Sequence, residues 1–204
     1  MKQILKIERK GNKHIITFSD STLINVSSDI IKRFSLSAGQ LISDRLLDQI
    51  IKYIDYLEAK KTAFRLLSIR NHTAFELKQK LLRKKKISKE IIESVITELT
   101  DTKYVNEQTI VVDYINEMIR KGFGPMRIKV DLKKKGIDIN LLEDELRKHY
   151  DYNKQKMTIL KLLDKKHFQL KSISVKDKQK VYTYFYNRGF SYEIISKCLG
   201  EMHD

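Results

Sequence analysis

Apolar positions along this chain follow two rhythms. Residues 3–8 (QILKIE) and 14–18 (HIITF) are short β-branched runs, and Lys10-Gly11-Asn12-Lys13 between them is a turn signal. They read as a hairpin. Leu23-Ile24-Asn25-Val26 follows as a third strand, and Ser27-Ser28-Asp29 offers capping oxygens for a short helix through Phe34. So small a sheet needs a helix to pack on. The segment from Ser43 to about Lys61 supplies one, with Leu46, Leu47, Ile50, Ile51, Ile54 and Leu57 at helical spacing.

Beyond residue 59 the rhythm is helical throughout, and it repeats. Residues 128–146 and 181–199 coincide at a shift of 53, pairing Ile128/Val181, Leu132/Phe185, Ile137/Phe190, Leu141/Ile194, Leu142/Ile195 and Leu146/Leu199. Gly136 falls on Gly189. An upstream copy supplies Leu77, Leu81, Ile87, Ile91, Ile92 and Ile96, with Lys86 where the others have glycine. Each unit predicts three helices: Ala63–Ser68, Thr73–Lys84 and Ser88–Thr100; then Gln108–Lys121, Met126–Lys135 and Asn140–Tyr150; then Asn153–Lys166, Val175–Arg188 and Ser191–Leu199. Thr73 and Glu76 form a capping box. Gly136 and Gly189 are left-handed helix ends. Helices this short are unstable alone and must pack as units.

The expected fold is mainly α: tandem three-helix repeat modules in an elongated array behind a small N-terminal β-hairpin or sheet element. The division is 1–58, 59–107, 108–151 and 152–204. Such arrays bind large partners more often than they catalyse.

Charge changes the picture. The net charge is +15 with a pI near 9.7, which favours a polyanionic partner. Residues 59–107 and 152–204 carry a net +6 each, against +2 for 1–58 and +1 for 108–151. The tract Lys80-Leu81-Leu82-Arg83-Lys84-Lys85-Lys86 ends the second helix of the first unit. Helix-end cations complement the macrodipole, which accounts for about half of the tract. The rest repel one another and call for a phosphate backbone or an acidic protein surface. Lys133, Lys134 and Lys135 occupy the equivalent place in the second unit, and Arg188 in the third.

Arg120, Lys121, Arg127 and Lys129 flank Gly122-Phe123-Gly124. That loop is either an anion cradle at a helix N-terminus or an ordinary helix–helix turn, and the turn is favoured. Tyr182, Tyr184 and Tyr186, beside Lys178 and Lys180, either stack on bases and anchor a partner or serve wider helix packing. Phe185 and Phe190 match core positions.

Chemistry adds little. The five histidines (His14, His72, His149, His167, His203) are scattered, and no catalytic, metal or cofactor motif emerges. Cys198 sits at a packing position. No run of about 18 apolar residues predicts a membrane span, the charged N-terminus is no signal peptide, and the single cysteine fits a reducing compartment. A cytoplasmic, monomeric protein is expected.

A family resemblance gathers these features. Leu67-Ser68-Ile69-Arg70, then Thr73, Glu76, Leu77 and Leu81, resembles the opening signature of the bacterial regulatory RecX family. Lys103-Tyr104-Val105-Asn106-Glu107 is similar to its loop before the second unit, and Tyr114–Arg120 with Gly124-Pro125 through Gly136-Ile137 to that unit itself. The N-terminal hairpin resembles an extension seen in Gram-positive members. Asn106-Glu107 departs from the usual acidic pair, and Lys86 from the usual glycine. Several relatives look longer than three units. The resemblance implies a regulator that binds the RecA filament, usually to inhibit it, and that also binds single- and double-stranded DNA. The alternative from another class is a stand-alone DNA-binding protein acting without RecA.

Overall fold

The computed structural model describes residues 1–83, 87–166 and 175–200. In chain order the elements are β1 (Lys2–Lys10), β2 (Lys13–Phe18), β3 (Leu23–Val26), α1 (Ser28–Arg33), β4 (Leu41–Ile42), α2 (Asp44–Leu67), α3 (Ala74–Leu82), α4 (Lys89–Asp101), α5 (Glu107–Arg120), α6 (Pro125–Lys134), α7 (Ile139–His149), α8 (Tyr152–Lys165), α9 (Val175–Asn187) and α10 (Tyr192–Gly200). The fold is mainly helical with a small N-terminal antiparallel sheet, as the two rhythms require. The chain divides into two compact units: Met1–Ile69 with Lys78–Glu98, and Arg70–Leu77 with Leu99–Asp204.

In the first unit the strands lie in the order β3-β2-β1-β4. The β1–β2 turn places Gly11 at φ +62, a conformation glycine adopts without a Cβ clash. Alternation directs Ile4, Ile16, Phe18, Val26 and Ile42 inward, where Ile30, Leu36, Leu47 and Ile50 join them in one core. The two-residue strand β4, paired to β1 through Lys2–Ile42 and Gln3–Leu41, is too short to leave a period in the sequence. Ser27 sits at the N-cap of α1 but makes no side-chain cap bond. Ser43 does cap α2, accepting from the Leu46 N–H at 3.1 Å.

One helix replaces two expected ones. The segments read separately as Ser43–Lys61 and Ala63–Ser68 are the continuous 24-residue α2. No glycine or proline interrupts it, and Ala59 and Ala63 are fully buried. Residues 58 and 59 therefore lie mid-helix. Lys60 bridges to Glu98 of α4 at 2.7 Å, and Tyr56 donates to the same carboxylate.

In the second unit α5 packs on α6 and α7, and α10 on α8 and α9. The second and third copies share one core rather than holding two. It runs from Val111 and Ile115 through Ile128, Leu132, Leu142 and Ile159 to Phe185, Phe190, Ile195 and Cys198. Across the three copies, Leu77/Ile128/Val181, Leu81/Leu132/Phe185, Ile87/Ile137/Phe190 and Ile92/Leu142/Ile195 are all buried. The repeat marks the core. Asp138 caps α7, accepting from the N–H groups of Asn140 and Leu141, and the helix begins at Ile139, one residue earlier than expected. Asp151 caps α8 and starts it one residue earlier than expected.

Candidate functional site

Within the second unit, the second helices of successive copies meet head to tail. At the first meeting, the C-terminus of α9 docks on the N-terminus of α6. The Gly124 N–H donates to the Arg188 carbonyl at 2.8 Å, and the Met126 N–H to the Gly189 carbonyl at 3.0 Å. A Cβ on Gly124 would lie 2.3 Å from the Gly189 oxygen, and one on Gly189 would lie 2.4 Å from the Arg127 nitrogen. Only glycine permits this approach. The carbonyls at one helix's negative end thus satisfy N–H groups at another's positive end.

The second meeting repeats the first. Thr73, aligned with Gly124, donates its hydroxyl to the Lys135 carbonyl at 2.7 Å. A Cβ on Gly136 would lie 2.4 Å from the Phe75 Cβ. The capping box is present: the Glu76 N–H donates to Thr73 Oγ1 at 3.1 Å, and the Thr73 N–H to Glu76 Oε2 at 3.3 Å. Glu76 also receives Lys135 at 2.8 Å and Arg70 at 3.1 Å. Burial acts to raise this carboxyl, but hydrogen bonds from Arg70 and Lys135 outweigh it and hold the pKa down at about 2.

This geometry uses the glycine loop to join helices. The Gly124 and Met126 N–H groups are spent on carbonyls at the end of α9 and do not face an open loop. Arg188 is equally committed. Its Nη1 donates to the carbonyls of Lys121 (2.9 Å) and Gly122 (3.0 Å), and its guanidinium lies 5.1 Å and 4.9 Å from the ring centres of Phe123 and Tyr184. It closes the C-terminal end of α5. Nearby, burial and a hydrogen bond to Asp131 push the Tyr114 hydroxyl up to about 12.

The other candidates sort by partner. Lys121 pairs with Glu117, Arg127 with Asp131, Lys129 with Glu143 and Lys135 with Glu76. Arg83, Arg120, Lys133, Lys134 and Lys178 are exposed and have no ion pair among the described residues. Lys180 is exposed on α9. Lys84, Lys85 and Lys86 lie outside the described residues.

The tyrosines separate likewise. Tyr184 packs edge-on against Phe185 beneath Arg188. Tyr182 is half-buried and stacks on Tyr192 at 5.0 Å, while Tyr186 is 61% exposed. A groove of about 350 Å³ runs along them.

One basic feature escapes the sequence. In the first unit, Lys13, Lys61 and Arg65, with one carboxylate, Glu58, rim a groove of about 620 Å³ floored by Val26, Ile30, Ile54 and Leu57. A count by segment hides it, because Lys13 comes from the hairpin while Lys61 and Arg65 fall beyond residue 58 near the end of α2. Among the described residues no cluster of metal-ligand side chains occurs, and no helix is long and apolar enough to cross a membrane.

Known proteins share this architecture. A family model described as the first three-helix domain of RecX matches residues 59–99, and one for the third three-helix domain matches residues 154–199. The regulatory protein RecX of Streptococcus sanguinis strain SK36 is 31% identical over 192 residues, covering 93% of this chain and 73% of the relative. That of Caldanaerobacter subterraneus is 27% identical, covering 97% of this chain and 96% of the relative. A crystal structure of regulatory protein RecX superposes with a TM-score of 0.73 at 20% identity over 97% of this chain and 98% of that one. RecX from Lactobacillus salivarius does so with 0.66 at 29% identity, over 74% and 97%. Two family models placed on two copies of the repeat, and a relative alike over nearly the whole chain, make this chain a member of the RecX family of regulatory proteins.

Proposed function

We propose that this chain binds the RecA–DNA filament and lowers RecA activity in recombination, repair and the damage response, as a cytoplasmic monomer that also contacts DNA. The observation that carries this reading is its likeness to regulatory RecX proteins over 93% of its length. The charge agrees with it. A net +15, with exposed cations that no described carboxylate neutralises, suits a partner that presents phosphates along a repeating track. In this reading residues 59–107 and 152–204 make most anionic contacts. Arg83 and Lys84–Lys86 serve the first segment, Lys178 and Lys180 the second, and Arg120, Lys133 and Lys134 act between them. Arg188, Lys135 and Arg127 chiefly hold the fold.

The discriminating experiment compares the chain's affinity for single-stranded DNA coated with RecA against the same strand naked. Tighter binding to the coated strand is expected of a filament regulator. Equal or weaker binding would favour a DNA-binding protein that acts without RecA.

A further inference from the structure

We propose that the groove between α9 and α10 is a base-stacking site for single-stranded nucleic acid. The proposal rests on the DNA-binding part of the function above and assigns it to particular residues.

The groove is lined by Lys178, Gln179, Tyr182, Tyr186, Tyr192 and Ile195, among others. Its volume of about 350 Å³ lies at the small end of ligand pockets, which span roughly 300–1,000 Å³. Tyr182 and Tyr192 are already stacked, with ring centres 5.0 Å apart and planes 22° from parallel. Tyr186 stands one helical turn beyond Tyr182. Tyr186 and Tyr192 are 61% and 68% exposed, while Phe185 and Phe190 of the same copy are fully buried. The core is therefore filled without the rings of Tyr186 and Tyr192, while Tyr182 packs partly against it.

The repeat sharpens the point. Tyr182 and Tyr186 align with Lys129 and Lys133 of the second copy, and Tyr192 with Ile139. The same helical face that carries lysines in one copy carries open aromatic walls in the next. The ligand that fits has flat π faces and negative charge. The tyrosines offer the faces, Lys178 offers a cation with no ion pair, and no carboxylate lines the groove, both among the described residues. Nucleobases on a phosphodiester chain have both properties, and stacking accepts any base. An aliphatic or acidic peptide would leave the aromatic faces or the cation unmatched. Gln179 at the rim adds a donor and an acceptor for base edges.

The test uses the full chain and fluorescence anisotropy with two labelled strands of equal length, an oligothymidylate and an abasic sugar-phosphate strand. Tyr186→Leu with Tyr192→Leu keeps apolar bulk and removes the rings. Loss of affinity for the oligothymidylate by roughly 5- to 100-fold is expected, with little change on the abasic strand. Tyr186→Phe with Tyr192→Phe should bind like the parent. Unchanged oligothymidylate affinity in the leucine variant would overturn the proposal. So would an equal loss on both strands, which would mean charge or fold rather than stacking. Loss of binding to RecA-coated DNA alone, with naked-strand affinity intact, would reassign the groove to a protein contact. Should the leucine pair lower the melting temperature, Tyr186→Leu alone carries the test under the same criteria. RecA ATPase is followed in parallel. Inhibition retained without any base effect overturns only the groove, and a base effect without inhibition overturns only the filament reading.

Discussion

Gly124→Ala should open the joint between α6 and α9. The backbone there is extended, with φ −86 and ψ 168, so alanine meets no intrinsic strain. The cost is steric, because the new methyl would lie 2.3 Å from the Gly189 carbonyl oxygen. If the joint stays shut, the overpacking costs about 1–3 kcal/mol. If it opens, two backbone hydrogen bonds go, at about 0.5–1.5 kcal/mol each. Both routes lead to about 1–3 kcal/mol, and the Arg188 bonds to the Lys121 and Gly122 carbonyls add to the second. The melting temperature should fall by roughly 2–4 °C per kcal/mol for a chain of this size. Because a chain with two compact units need not unfold in one step, amide exchange is the sharper assay. Protection at Gly124 and Met126 should drop about tenfold per 1.4 kcal/mol. Gly200→Ala is the control, since among the described residues nothing lies within 4 Å of its added Cβ. Unchanged protection at Gly124 and Met126 would refute the head-to-tail joint.

Thr73→Val keeps the shape of a buried residue but removes both the cap to Glu76 and the bond to Lys135. It should cost about 1–2 kcal/mol, read from urea unfolding. Glu76 has a folded pKa of about 2 against an ordinary 4.5. A lowered pKa gives stability that is complete above about pH 4.5 and disappears as pH falls toward 2. The wild type should lose on the order of 2 kcal/mol through that window, and Glu76→Gln should show a flatter profile when unfolding is followed across it. Replacing Lys133 and Lys134 with glutamine should weaken DNA binding and reduce the salt slope by roughly 1 to 2, while leaving the melting temperature nearly unchanged because both are exposed and unpaired among the described residues.

Much of the fold could be read from the sequence because its signals are local and periodic. Alternation gave the hairpin, three-four spacing gave the helices, and the repeat gave most of the buried positions, though Ile91, Ile96 and Leu141 are only half-buried. Signals that depend on distance in space were out of reach. The continuity of α2 was missed because two apolar stripes on one helix look like two helices when each is matched to its own neighbours. Strand β4 was missed because two residues carry no period.

For the candidate site the limit is different. A cation's residue type says nothing of whether a carboxylate neutralises it. Lys129 and Lys133 both lie on α6, yet the first meets Glu143 at 2.9 Å and the second meets no described acid. Arg188 shared a repeat position with Lys135, and both proved to be joints between copies. The signal that could have shown this was the glycine after each, Gly136 and Gly189. A glycine retained where helices end can mark a close backbone approach as well as a turn. Tyr192 was missed because its aligned partner, Ile139, is aliphatic. Its role depends on Tyr182, which only packing brings beside it.

The central claim is regulation of RecA rather than simple occupation of DNA. The most direct measurement is RecA ATP hydrolysis on single-stranded DNA with this chain added well below the amount that coats the strand. Inhibition at such substoichiometric levels is the predicted result. Inhibition only once the DNA is saturated, or none at all, would contradict the account.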